Sequence, residues 1–138
     1  MNASPPMYVL DSFALLAYLA GESGMARVQA ILAQCARGES SACLSLINLG
    51  EVLYISEREC GLMRAQQVLA AIEQLPIEIL PASRQAVLAA AHVKAQYRLA
   101  YADAFAVAAA CERGGILVTG DPEFKAVKEI VQIEWLLP

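Results

Sequence analysis

Histidine occurs once in these 138 residues, tryptophan once, and the four cysteines (35, 43, 60 and 111) include no Cys-x-x-Cys pair. Their separations of 8, 17 and 51 positions exclude zinc-site spacing, and small buried thiols in a reducing cytoplasm are the expected state. Charge is sparse: Asp, Glu, Lys and Arg make up 17% of the chain, against roughly a quarter in an average soluble domain. A net charge of −4 and a pI near 4.9 argue against gripping duplex nucleic acid by bulk charge, while leaving room for a site built from acids. Long apolar runs are missing too. The longest, residues 13–20 and 104–111, are eight residues each, less than half a spanning helix, so no membrane segment is expected. Residues 1–6 have neither a basic n-region nor a hydrophobic h-region, and no signal peptide is expected.

What remains is an apolar chain of one domain's length, 58% hydrophobic with mean hydropathy +0.48. Such a chain buries roughly two-thirds of its unfolded surface, is not disordered, and has apolar surface to spare for a partner. No repeat, linker or low-complexity tract divides it, so residues 1–138 are expected to form a single domain. Residues 8–10, 43–47, 77–80 and 116–119 read as short buried strands, and 131–135 alternates like a half-covered edge strand. Met25, Val28, Ile31, Leu32 and Cys35 recur at helical spacing, as do Leu62, Ala65, Val68, Leu69, Ile72 and Leu75. Ser83 is placed to cap a helix with Val87, Leu88, Ala91 and Ala95 on one stripe, and an Ala-rich helix over 102–112 stops at Gly114-Gly115. Strand–helix alternation implies a three-layer α/β/α fold around a parallel sheet.

Only three aspartates exist, Asp11, Asp103 and Asp121. Asp11 ends the first strand, Asp121 follows the fourth, and Asp103 opens the helix leading into the fourth. All three should share the carboxyl rim of the sheet, where open α/β folds bind ligands. Glu51, in the expected first turn of the helix after strand two, joins them. Each has a local explanation: Asp11 and Asp121-Pro122 as helix caps, Asp103 as a first-turn acid, Asn48 with Glu51 as a capping box. Yet Asp11 and Asp103 sit in apolar segments, where ionised carboxylates need compensation. Two carboxylates about 5 Å apart repel by roughly 3 kcal/mol at an effective dielectric of 20. Four at one rim call for protons or a hard divalent cation, Mg²⁺ or Mn²⁺.

The succession Val9-Leu10-Asp11-Ser12, Asn48-Leu49-Gly50-Glu51-Val52-Leu53-Tyr54, Tyr101-Ala102-Asp103-Ala104-Phe105 and Val118-Thr119-Gly120-Asp121-Pro122-Glu123-Phe124 resembles the PIN-domain nucleases, most closely the single-domain VapC-type toxins. The resemblance spans essentially the whole chain. It implies a parallel sheet of order 3-2-1-4-5 and a catalytic, metal-binding quartet of Asp11, Glu51, Asp103 and Asp121. Ser12 and Thr119 match the small hydroxyl positions that orient the first and last acids, and Asn48 is a cap or a partner of Glu51. The implied activity is Mg²⁺- or Mn²⁺-dependent hydrolysis of single-stranded RNA, leaving a 5′-phosphate and a 3′-hydroxyl. One or two ions would be held by Asp11, Asp103 and Glu51, with Asp121 completing or water-bridging the site.

Within a thin basic lining of Arg58, Arg64, Arg98, Lys125 and Lys128, Arg98 and Lys125 are phosphate contacts or solvated surface charges; Tyr101 is a candidate base-stacking ring, and Phe124 is either a base-stacking ring or core. His92 is read as structural or surface. The helix faces of residues 25–35 and 62–75 either cover the sheet or form an antitoxin groove or a homodimer seam. The rival readings are a catalytically silent RNA-binding or protein-interaction module of the same fold, and a solitary RNA-processing nuclease. A phosphoacceptor domain fits poorly, because Leu80-Pro81-Ala82-Ser83 supplies no aspartate after strand three.

Overall fold

The computed structural model describes residues 4–137. The leader reading of residues 1–6 thus falls partly, and the end of the expected domain at residue 138 wholly, outside the described residues. The elements run β1 (Met7–Leu10), α1 (Ser12–Ala20), α2 (Met25–Ala36), β2 (Ser41–Ser45), α3 (Leu46–Cys60), α4 (Leu62–Glu73), β3 (Glu78–Leu80), α5 (Arg84–Gln96), α6 (Tyr101–Arg113), β4 (Ile116–Thr119), a 3-10 helix (Pro122–Val127) and β5 (Gln132–Trp135). The five strands form one sheet of order β3-β2-β1-β4-β5, with every neighbouring pair parallel.

The two-residue period of the strands divides the core into two layers. Val9, Cys43 and Leu117 face α5, α6 and the 3-10 helix. Tyr8, Leu10, Ala42, Leu44 and Val118 face the opposite way, onto α1, α2, α3 and α4. Both faces of the sheet are therefore covered, which is why the central strands are almost uniformly apolar. Helix α6 is buried along its length from Asp103 to Ala110. It packs against α3, α5, β1, β2 and β4, and its alanines are what allow so many neighbours to approach one helix.

Several boundaries and faces differ from expectation. The second strand ends at Ser45 rather than residue 47, because the Ser45 hydroxyl accepts the Asn48 N–H and starts α3 at Leu46. Glu51 therefore lies in the second turn of α3, and the Asn48–Glu51 capping box does not form. On α5, Val87 and Leu88 are exposed, while Ala90 and Val93 turn inward, with Ala86 and Ala89 also packed against the core. The close approach of α6 selects small side chains there, which reverses the expected stripe. Cys60 and Cys111 are exposed, so only Cys43 is a fully buried thiol; both exposed cysteines lie at or near helix C-termini. Phe124 is completely buried and belongs to the core. The last strand keeps its half-covered character: Ile133 and Trp135 pack on one layer, and Glu134 pairs with Arg27 of α2 from the other. No helix among the described residues is long and apolar enough to cross a membrane.

Candidate metal centre

Asp11 follows β1 directly and is almost wholly buried. Its Oδ1 accepts the Ala14 N–H at 2.8 Å, capping α1, and its Oδ2 accepts the hydroxyl of Thr119 at the end of β4. The Thr119 Oγ1 also accepts the Asp121 N–H at 3.0 Å. Thr119, matched to the position that orients the last acid, links the first and the last. Burial pushes the Asp11 carboxyl up to about 7, with the charges of Asp103 and Asp121 adding to the rise and the two hydrogen bonds opposing it.

Asp103 lies in the first turn of α6, whose N-cap, Ala100, offers no side-chain bond. Its carboxyl is likewise raised to about 7, chiefly by burial and then by the charges of Glu51, Asp121 and Glu123. Asp121 caps the 3-10 helix, accepting the Glu123 N–H at 2.9 Å, with Pro122 in the first helical position. Glu51 accepts the hydroxyl of Ser12, which therefore orients the α3 acid instead of its neighbour Asp11. Parallel strands and the helices joined to them deliver these groups to the carboxyl rim.

Among the described residues, Asp103, Asp121 and Glu123 each present one carboxylate oxygen such that all three lie within 4.8 Å of one another. Asp11 and Glu51 adjoin this trio without belonging to it. Glu123 escaped the sequence reading because its helical turn is short; the signal was Asp121-Pro122-Glu123, which sets a second acid one step beyond a cap. The donor set is all hard oxygen, partly desolvated and mutually repelling, which fits a hard divalent cation.

The side chain of Asn48 neither caps α3 nor bonds Glu51. It is fully buried, its Nδ2 donates to the Ala102 carbonyl at 3.1 Å, and its Oδ1 has no partner among the described residues. It ties α3, which carries Glu51, to the residue before Asp103. Arg98 lines an open recess of about 540 Å³ with Lys94, Leu99, Ala100, Glu123 and Ala126, directly beside the trio. The Lys94 ammonium donates to the Leu99 carbonyl within this wall. Tyr101 is exposed at the start of α6, its ring edge-on to Phe105 with centroids 5.2 Å apart, and Lys125 is exposed on the 3-10 helix. His92, exposed on α5 and paired with Gln96, lies outside the site.

Comparison with known proteins agrees with this architecture. The chain superposes on a DNA-bound VapBC of Salmonella typhimurium with a TM-score of 0.73 at 19% identity, covering 96% of this chain and 99% of the other. It matches VapBC2 of Rickettsia felis, bound to a promoter DNA fragment, with a TM-score of 0.72 at 17% identity, covering 93% and 97%. Against VapC20 of Mycobacterium tuberculosis, a toxin that cleaves the sarcin–ricin loop, the TM-score is 0.68 at 18% identity, covering 91% and 97%. At these identities the likeness is one of fold. Sequence comparison with curated proteins finds no match. The family model of the PIN domain matches residues 8–130, a span that takes in all five rim acids and every strand but the last, and the chain belongs to the PIN domain family.

Proposed function

We propose that this chain is a Mg²⁺- or Mn²⁺-dependent endoribonuclease acting on single-stranded RNA, with Asp11, Glu51, Asp103 and Asp121, joined by Glu123, as its acidic machinery. The observation that carries the reading is the convergence of Asp103, Asp121 and Glu123 within 4.8 Å, next to a buried Asp11 held by Thr119, in a PIN domain. The trio would hold the cation, with Asp11 and Glu51 alongside. When bound, a divalent cation supplies Lewis acidity and positive charge for phosphodiester hydrolysis.

The chain's own groups do the rest. Thr119 and the Ala14 N–H fix both oxygens of Asp11, and Ser12 fixes one oxygen of Glu51, so neither carboxylate reorients as charge accumulates. Arg98 and Lys94 offer positive charge beside Glu123, placed to take a backbone phosphate. Tyr101 exposes a ring two residues before Asp103 on which a base can stack, and Lys125 adds a further cation.

We further propose that residues 1–138 form one PIN-like domain and that it is the toxin of a toxin–antitoxin pair and a homodimer. Support comes from the VapBC complexes it resembles in fold and from exposed Tyr54, Leu62 and Met63 on α3 and α4, apolar surface suited to a partner helix. A solution mass of 14.8 kDa at micromolar concentration would remove the dimer. The deciding experiment for catalysis is cleavage of single-stranded RNA with Mg²⁺ or Mn²⁺, alongside Asp11→Asn and Asp103→Asn. The expected result is cation-dependent cleavage lost in both variants. Absent cleavage, or cleavage unchanged in both, would instead favour a silent RNA-binding or protein-interaction module.

A further inference from the structure

At Gly120, the residue before Asp121, the surface holds an open hollow of about 490 Å³, lined also by Phe13, Glu22, Ser23, Leu136 and Leu137. Its wall is an aromatic ring with no evident folding duty. Phe13 is 42% exposed although it stands two residues from buried Asp11. The ring lies against the backbone of Gly120, where a Cβ would overlap it. The backbone of Gly120 is not left-handed, so the absent side chain answers to the ring and not to a turn. Glycine immediately before Asp121 thus sets an exposed aromatic surface beside the carboxylates.

This hollow and the Arg98 recess differ in charge. The Arg98 recess carries two cations, Lys94 and Arg98, against one acid, Glu123, whereas among the described residues the only ionisable group lining the Phe13 hollow is Glu22. A phosphate is favoured in the first and repelled from the second. An apolar floor with an acceptor at its lip suits a nucleobase, whose faces stack and whose amino and imino edges donate.

We propose that the Phe13 hollow seats a nucleobase of the single-stranded substrate next to the reacting phosphate, stacked on Phe13, while the phosphate backbone runs past Arg98. This inference rests on the ribonuclease reading and adds a base-dependent subsite to it.

The test uses the full chain carrying Asp11→Asn, with Mg²⁺ present, so that the RNA stays intact. Binding of a fluorescein-labelled single-stranded RNA decamer is compared by anisotropy with that of an abasic ribose-phosphate decamer. Phe13→Ala is expected to weaken RNA binding about tenfold, within the range of one lost base–aromatic stack, and to leave the abasic ligand unaffected. Phe13→Leu, which keeps apolar packing on Gly120, should be as weak as Phe13→Ala, and Phe13→Trp should restore binding. Equal losses on both ligands, rescue by leucine, or no RNA binding by the parent protein would each overturn the subsite. A parallel cleavage assay on the chain with Asp11 intact judges the nuclease reading separately: absent cleavage refutes catalysis and leaves the base-dependence of binding to stand or fall on its own measurement.

Discussion

Asp11 serves two purposes with one carboxylate. One oxygen ends a helix, the other is clasped by Thr119, and burial lifts the group to about 7. The local capping explanation and the catalytic one are therefore compatible, since a cap is also a means of aiming an acid. Thr119→Val tests the clasp. It removes a hydrogen bond to a charged acceptor, a change of about 1.5–3 kcal/mol, without altering side-chain shape. Because that bond holds the Asp11 carboxyl down, its loss moves the group further upward. The expected outcome is an acidic limb of the RNA-cleavage profile displaced to higher pH, with little change on the plateau. An unmoved limb would mean that Thr119 is merely filling space.

At the scale of elements, helix starts place the acids and small side chains permit their convergence. Ser45 caps α3, and α3 carries both Asn48 and Glu51. Ser45→Ala is expected to lower stability by about 1 kcal/mol, read as a reduced urea midpoint with an unchanged slope. Cleavage should fall by more than that loss of stability accounts for, since Glu51 loses its register; activity intact at full folding would separate the cap from the site. Helix α6 offers a second test. Ala106 is completely buried in the core layer beneath α5, so Ala106→Leu overpacks it and is expected to destabilise by about 1–3 kcal/mol. A neutral substitution would show that α6 sits more loosely than its burial indicates.

For the whole molecule, the gathered acids make stability depend on pH and on cation. Asp11 and Asp103 both have folded values near 7 against an ordinary 3.8. Between about pH 4 and pH 7 the folded state thus binds more protons than the unfolded state. In EDTA, the contribution of these two acids is full below about 4 and is lost as pH rises through about 7. Each unit of displacement is worth about 1.4 kcal/mol, so the midpoint of urea unfolding in EDTA is expected to fall from pH 5 to pH 8. Added Mn²⁺ should reverse the trend at pH 8, by about 2.7 kcal/mol at a hundredfold excess over its Kd. Asp103→Asn should abolish that gain. Stability that rises with pH in EDTA, or ignores Mn²⁺, would contradict the acid cluster.

The sequence by itself determined the fold class, the sheet order through its family likeness, and the rim on which Asp11, Glu51, Asp103 and Asp121 meet. These follow from strand–helix alternation and from where each acid falls relative to a strand end, both local properties of the chain. What depended on tertiary structure was which partner each group finds. Ser12 reaches Glu51 rather than Asp11, Glu123 completes the tightest acidic group, and Phe13 lies on Gly120 across 107 residues of sequence. Val87 and Leu88 turn outward because Ala86, Ala89, Ala90 and Val93 take the face packed against the core. Such choices are made by neighbours distant along the chain, and periodicity along one segment carries no record of them.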